Sequence, residues 1–599
     1  MTLSPVANLG ESVATTKSAR SCTGKRPHIP SPSSIIIDVK RSVRLEAEVL
    51  PALLSGRITS VTTQVCEDDP ARDTPSLARR TLRWWAGRWP LALILVVTGF
   101  CYTVLAFALN AHLQTYGFDL GVYYEALKGY AHFGLPLVGL KGAHYDLLGD
   151  HFAPMLALLA PSYWIWPSPD VLLIDQTVLV AVSVVPVWMF TERRFGSAPG
   201  MPRLTTICLV ICYALAWELQ SLIGYDFHSL AFSVPILAVA IERADAGRWR
   251  AASVWILSLL LVKEDLALVV AAFGIYAFVA GRRRLGAALF VVGAASFGLL
   301  TDVVVPALAA GGVYPHWSYQ ELGPGPGPAL RYVVTHPITT LRLMVTPRAK
   351  LGLLAWTFLP SGLLALLSPI TVLAIPALLE RVLSQRPDVW QTSFQYGAPL
   401  APIVGLAVID GLWRGDRWRA ARRAGRRPQA AAIPAPAPGV VGPGPVRAPV
   451  RGGEAALIAM VMLTVAVVVT SHFPLTSVVA DDLALLRPYQ PMIALNEAER
   501  LVPPGVLIAA SNNLVPHLLS RDDPIVMTAD SVCGSWAFVE AKSQYPYVSV
   551  VQAVRQLQGM RRHGWRLVFD RSGILLLHKV GMVLGGPVCR RTDPLLAPQ

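Results

Sequence analysis

Between Tyr116 and Pro161 the chain places Asp119, Glu125, His144, Asp146, Asp150 and His151 in one loop that directly follows a long apolar run. These side chains exchange protons and can hold cations. Further groups stand where other apolar runs break: Asp226 and His228 in GYDFHSL, the triplet Lys263-Glu264-Asp265, and Arg386 with Gln395 and Tyr396 ahead of another run. Hydrocarbon penalises such groups unless they meet water or one another. Their recurrence at the ends of runs therefore points to one shared wet pocket, where acid, base and hydrogen-bonding side chains converge.

Each group also has a purely structural reading. Asp119 could cap a helix starting near Leu120, and Asp150-His151 could cap the short helix after it. Lys263-Glu264-Asp265 could be a turn that neutralises itself, and Asp226 and His228 could be supporting or solvated. His144, Asp146, Asp150 and His151 have the ligand types for a divalent cation, but their spacing matches no metal motif. The run GPGPGP at 323–328 reads as a flexible loop, because no P-loop lysine follows it.

The elements that must position these groups are membrane helices. Of 599 residues, 53% are hydrophobic and 15% charged, with mean hydropathy +0.48. Soluble chains carry about 25% charged residues. The apolar blocks here are long enough for a hydrocarbon core of about 30 Å. The net charge of +14 comes in short Lys and Arg clusters between those blocks, which is the positive-inside pattern. No basic patch interleaved with aromatics suggests a nucleic-acid partner.

Residues 1–76 are rich in Ser, Thr and Pro and are expected to be a disordered cytoplasmic tail. The membrane domain runs over 77–427, opening with Arg79, Arg80, Arg83 and Arg88 interleaved with Trp84, Trp85 and Trp89. Spans are expected at about 91–109, 171–190, 204–222, 229–242, 249–262, 266–281 and 285–306. Two more fall within 351–383, one at 397–412 and a last within 454–473. That makes an all-α bundle of about eleven spans by the positive-inside rule. The segment 249–281 reads as two helices meeting at 263–265, since one helix would be about 50 Å long. In this topology the first outer loop, 110–161, lies outside the membrane, the Pro/Ala/Gly-rich linker 428–453 is a cytoplasmic spacer, and 474–599 is a small extracytoplasmic α/β domain. Strands are expected in that domain at 505–510 and 524–528, with a hairpin at 566–579 and a helix over 549–563. Among the seven cysteines, Cys101, Cys208 and Cys212 read as small core hydrophobes, while Cys533 and Cys589 are open to pairing outside.

The segments FDLGVYYEAL from Phe118, GDHFAPMLALLAP from Gly149, DFHSLAF from Asp226, KEDLAL from Lys263 and QYGAPLAPIV from Gln395 resemble an uncharacterised membrane-protein family designated domain of unknown function 2079. That family in turn resembles GT-C glycosyltransferases in layout, with a long acidic first outer loop and an outer soluble domain. The resemblance implies a polyprenyl-phosphate-linked sugar as donor and an envelope glycan, lipid or protein as acceptor, handled at the cell membrane. It makes Asp119 the general base, supported by Asp150. Lys263 and Arg386 would hold the donor phosphate, with His151, Asp226, His228, Glu264, Asp265 and Tyr396 around phosphate or sugar. No cofactor is implied beyond a divalent cation, and the acid pair of GT-C enzymes does not stand as an adjacent pair in the loop. The other readings are a transporter or flippase for a lipid or small polar solute, and a non-catalytic envelope scaffold.

Overall fold

The computed structural model describes residues 88–142, 145–196, 202–423, 452–478, 484–527, 534–541 and 550–580, together with two short strands in the N-terminal segment. His144, Cys533, Cys589 and nearly all of the 428–453 linker lie outside the described residues. Residues 1–87 form a unit of their own. Its described part is a parallel pair, β1 (Ser34–Asp38) with β2 (Ser60–Gln64).

From Arg88 onward the fold is helical, followed by a small sheet. Helix α1 (Trp89–Ala111) leads into the loop that carries Asp119, where a wide π turn at Gly117–Gly121 runs into α2 (Val122–Ala131). Helix α3 (Asp170–Phe195) returns antiparallel to α1. Asn110 Nδ2 donates to Asp170 Oδ1 (2.8 Å) at one end of the pair, and Arg88 Nη2 meets Glu192 Oε2 (2.8 Å) at the other. Then come α4 (Pro202–Ala214) and α5 (Trp217–Ile223), bent by 41° at their junction, α6 (Ser233–Asp245), α7 (Trp249–Leu257), α8 (Ala267–Val279) and α9 (Arg283–Leu308). Helices α10 (Ala349–Phe358), α11 (Ala374–Leu383), α12 (Leu400–Arg423) and α13 (Gly452–Thr470) complete the membrane part.

Among the described residues three helices, α1, α3 and α9, are individually long and apolar enough to cross a membrane, and α4 with α5 makes a fourth if the bent pair is one span. The sequence led to an expectation of eleven. The shortfall has a local cause. The expected spans around α6, α7 and α8 are shortened by 3₁₀ turns at Ser229–Phe232, Ser258–Leu261 and Glu264–Leu266, leaving α-helices of 13, 9 and 13 residues. At 1.5 Å per residue, 13 residues reach about 20 Å, short of a hydrocarbon core. The segment 249–281 does break at Lys263-Glu264-Asp265, as its length required. Helices α8 and α9 pack backbone to backbone: a Cβ on Gly274 would lie 2.4 Å from Phe290 N, and one on Gly293 2.4 Å from Ala271 N. Such close approach through small residues is how helices associate where lipid removes the hydrophobic drive.

Charged groups collect at the two ends of the bundle. Beside Arg88 and Glu192, Arg193 pairs with Glu242 and Asp245, while Arg194 bridges Asp245 (2.6 Å) and Asp410 (2.7 Å). Arg414 adds a second contact to Asp410 at 2.6 Å. The opposite end of the α1–α3 pair, where Asn110 meets Asp170, leads directly into the loop with Asp119.

The C-terminal sheet has the order β4-β3-β5-β7-β6, built from β3 (Leu507–Ala510), β4 (Asp523–Val526), β5 (Trp536–Glu540), β6 (Arg566–Arg571) and β7 (Ile574–His578). β3 runs parallel to β4 and β5; β7 is antiparallel to β5 and β6. The β6–β7 hairpin turns at Ser572 and Gly573, both at positive φ, the conformation a tight two-residue turn needs. Helices α14 (Gln490–Glu499) and α15 (Val550–Arg562) complete this domain, whose core holds Ala509, Met527, Ala537, Val539, Met560, Trp565 and Leu577.

Candidate functional site

The site forms where four chain breaks meet beyond the helix ends. The π turn after α1 supplies Asp119. The 3₁₀ turn at Leu147–Gly149 leads into Asp150 and His151. The α5–α6 break carries Asp226 and His228, and the α7–α8 break carries Lys263, Glu264 and Asp265. A fifth segment, after α9, brings Tyr314 and His316.

The floor is buried. Glu264 is fully enclosed and accepts from Phe152 N–H (3.0 Å), Tyr314 O–H (2.9 Å) and His151 Nδ1 (3.2 Å). Burial works to raise the Glu264 pKa, but the His151 bond and charge, with Lys263, outweigh it and hold this carboxyl well below its usual range. Asp150 is gripped from both sides, by Lys141 Nζ on Oδ2 (2.5 Å) and His316 Nε2 on Oδ1 (2.8 Å). Burial again opposes, yet Lys141 and His316 keep Asp150 ionised, its pKa well below normal. His316 lies flat on His151, with centroids 4.0 Å apart and planes 15° from parallel. Burial and the neighbouring His151 bring the His316 pKa down to about 4.

His228 sits 6.1 Å from His151, ring centre to ring centre. Its Nδ1 accepts from Leu230 N–H (3.3 Å), which assigns the proton to Nε2, facing Tyr123 Oη at 3.2 Å. Burial first, then the charges of His151 and Lys263, keep His228 neutral. Gln176 of α3 fixes this turn, accepting from His228 N–H (3.0 Å) and donating to Asp226 O. Lys263 pairs with Asp265 at 2.9 Å. Burial would lower the Lys263 pKa, but Asp265, Glu380 and Glu264 raise it further, so the ammonium stays charged.

Above the floor stands a pair of carboxylates. Asp226 has φ +50, a strained conformation for a residue with a side chain, and its Oδ2 accepts from Tyr116 N–H at 2.8 Å. Burial and the negative charge of Asp119 push the Asp226 pKa well up. Asp119 is partly exposed and receives Tyr225 O–H at 3.4 Å. Burial raises its pKa to about 6, against the downward pull of Lys141, Tyr225, His151 and Arg386. Two carboxyls that feel each other's charge in this way resist double ionisation.

Arg386 and Tyr396 form the far rim: Arg386 Nη2 meets Asp388 Oδ2 (2.5 Å) and Tyr396 Oη (3.3 Å). The C-terminal domain closes over the Asp119 turn. Asn512 accepts Gly117 N–H on its carbonyl (2.8 Å) and Phe118 N–H on Oδ1 (3.0 Å). Gly117 has to be glycine here, since a Cβ would lie 2.8 Å from Val515.

The ten residues given a catalytic or donor-binding role from the sequence, Asp119, Asp150, His151, Asp226, His228, Lys263, Glu264, Asp265, Arg386 and Tyr396, are linked electrostatically. The structural alternatives divide. Asp119 sits inside the π turn and is not the N-cap of α2, which is Gly121 and carries no side-chain cap bond. Lys263 and Asp265 do neutralise each other within their turn, while Glu264 turns away to His151. Asp146, weighed as a ligand, caps the 3₁₀ turn through Leu148 N–H (2.9 Å). The residues missed were Lys141, Tyr314, His316 and Asn512. For His316 a signal existed in the aromatic-flanked VYPHWSY segment.

Asp119, Asp150, His151, Asp226, Lys263 and Tyr396 all stand in the segments whose resemblance was noted above, and residues 110–576 match a family described as a predicted membrane protein, DUF2079. The chain belongs to this family. The match spans the whole DUF2079 site, from the Asp119 loop through Asn512 in the sheet domain. No curated protein and no solved structure matches.

Proposed function

We propose that this DUF2079 protein is an integral-membrane glycosyltransferase of GT-C-like layout. It would move a sugar from a polyprenyl-phosphate donor to an extracytoplasmic glycan, lipid or protein acceptor. The observation that carries the reading is the Asp119–Asp226 pair. A carboxyl with pKa near 6, partly exposed and hydrogen-bonded to Tyr225, is tuned for proton abstraction close to neutral pH. In this reading Asp119 takes the proton of the acceptor hydroxyl as it attacks the sugar carbon, and the carbon–oxygen bond to phosphate breaks. Lys263 and Arg386 stabilise the departing phosphate. Asp150 acts through Lys141, which pairs with it and whose charge also lowers the pKa of Asp119. His151, His228, Glu264, Asp265 and Tyr396 shape the donor pocket.

The same reading puts the site outside the membrane and the Arg193–Arg194–Arg414 cluster in the cytoplasm, in keeping with the positive-inside rule. It retains about eleven crossings by counting helices interrupted by 3₁₀ turns as spans, since broken helices are tolerated where they line a polar cavity. Charged groups at the helix ends, rather than in mid-span, favour transfer at the interface over a transport path. The test compares envelope glycans and polyprenyl-phosphate sugars in cells lacking the protein, cells with wild type and cells with Asp119→Asn. Deletion and Asp119→Asn should both accumulate the same lipid-linked sugar and lose the same glycan. An unchanged glycan and lipid profile in the deletion would refute the reading.

A further inference from the structure

Asp150, His151 and His316 come from two loops more than 150 positions apart, yet each offers one ligand atom within 4.8 Å of the others. Their surroundings are arranged as if to leave those atoms available. His151 directs Nδ1 at Glu264 Oε1, 3.2 Å away, so Nε2 is the nitrogen left on the far side of the ring. Histidines that bind metals almost always give their other N–H to a carboxylate or carbonyl, which fixes tautomer and ring orientation. Glu264 fits that supporting role, because Phe152 N–H and Tyr314 O–H pin it and it is fully buried. Lys141 occupies Asp150 Oδ2, leaving Oδ1 toward His316 Nε2.

The geometry points to a divalent transition-metal site formed by Asp150 Oδ1, His151 Nε2 and a His316 ring nitrogen, with Glu264 orienting His151. The His316–Asp150 contact of 2.8 Å holds a proton where a cation would sit. Ligands bound at about 2.0–2.1 Å in a tetrahedral shell stand roughly 3.3 Å apart, so exchanging proton for metal opens this contact by only about 0.5 Å. The stacked imidazoles must also splay, because rings 15° from parallel do not aim their lone pairs at one point. The torsion involved has a broad, soft profile. Two imidazoles and one carboxylate select zinc-type ions over magnesium or calcium, which prefer all-oxygen shells. Three protein ligands leave a coordination position for water or an oxygen of a ligand, the pattern of catalytic rather than structural zinc. This inference stands apart from the glycosyl-transfer reading, because a bound ion can be measured with no sugar present.

The experiment uses full-length protein purified in detergent and treated with chelator. Zinc titration followed calorimetrically should give one equivalent, with Kd micromolar or tighter. Cobalt in its place should give the intense visible bands of a four- or five-coordinate site with nitrogen ligands. His316→Ala should weaken zinc at least 100-fold, and Glu264→Gln by about 10–100-fold. His336→Ala, at an exposed histidine stacked on Tyr332, should change nothing. Undiminished zinc affinity in His316→Ala overturns the site, as does magnesium binding as tightly as zinc. If His316→Ala does not elute as a folded species, the wild-type cobalt spectrum decides: that of hexa-aquo cobalt means the two histidines only relay hydrogen bonds, and the proposal is wrong.

Discussion

Glu264 accepts a hydrogen bond from His151 Nδ1 at 3.2 Å across 113 positions of sequence, tying the turn between α7 and α8 to the first loop. Three donors converge on this one buried carboxylate: His151, Phe152 N–H and Tyr314 O–H. A buried donor left without an acceptor costs about 1–3 kcal/mol. Glu264→Ala strands the Phe152 N–H and Tyr314 O–H donors, so a loss of about 3 kcal/mol is expected. Glu264→Gln keeps an acceptor oxygen and should lose less. Thermal unfolding of the detergent-purified variants gives the ranking, and equal loss in both would show that the donors find other partners.

Asp119 should trade stability for reactivity. Its folded-state pKa of about 6 lies above the usual value of about 3.9, so between those values the folded protein binds more protons than the unfolded chain. Stability contributed by this group is therefore full below about pH 4 and falls as pH rises toward 6. Because Asp119 is partly exposed, solvent screening reduces the effect to about 1–2 kcal/mol. Asp119→Asn removes the titration. The variant should match wild type near pH 4 and exceed it by that margin at pH 7.5, while losing transfer activity. Wild-type activity should rise with pH through about 6. A variant less stable than wild type at pH 7.5 would mean that the carboxylate is held by contacts that outweigh its burial.

The placement of charge at the breaks between apolar runs was legible in the sequence, and so was the outcome that those breaks converge. Lys263-Glu264-Asp265 shows why: a run too long for one span must turn, and an ionic triplet at the turn must find water or partners. The hairpin of β6 and β7 was equally legible, from the runs RLVFD and ILLLHK joined at Arg571-Ser572-Gly573. The partnership of Asp119 with Asp226 was not, because it depends on how the π turn and the strained α5–α6 break sit against each other in three dimensions. β5 went unseen as well: WAFVE is a short continuous apolar run, and periodicity cannot assign such a run to a strand. Continuous spans were not legible, since hydropathy sees apolar length but not the 3₁₀ turns that interrupt a helix. His316 was passed over because its partners lie 165 and 166 positions away.

Gly149 holds the first loop against the end of α9. A Cβ there would fall 2.4 Å from the Leu308 carbonyl, a backbone group with no rotamer to escape into. Gly149→Ala must therefore part the loop from α9, and overpacking of this kind costs about 1–3 kcal/mol. It also moves Asp150 relative to His316, which follows α9 in the chain. Gly298→Ala, in the same helix but with open space around the added carbon, should be neutral or mildly stabilising, as glycine is a poor helix former. Comparing the two melting temperatures, with zinc affinity as the second readout, tests whether Gly149 sets the site's geometry. Equal behaviour of the two variants would remove that role.

The orientation of the whole bundle is the last expectation, and it follows from which end carries which charges. Arg88, Arg193, Arg194, Arg243 and Arg414 lie with Glu192, Glu242, Asp245 and Asp410 at one end. Acidic partners offset part of that charge, but acidic residues contribute little to topology, whereas arginines near span ends resist translocation. The arginine end should therefore face the cytoplasm and the Asp119 loop the outside. Reporters fused after residues 130 and 325 should read outside, and one after 430 should read inside. A reporter at 130 that reads cytoplasmic would invert the protein. It would place Asp119 on the side where soluble nucleotide-linked sugars, not lipid-linked ones on the outer face, are the available donors, and the proposed transfer would fail with it.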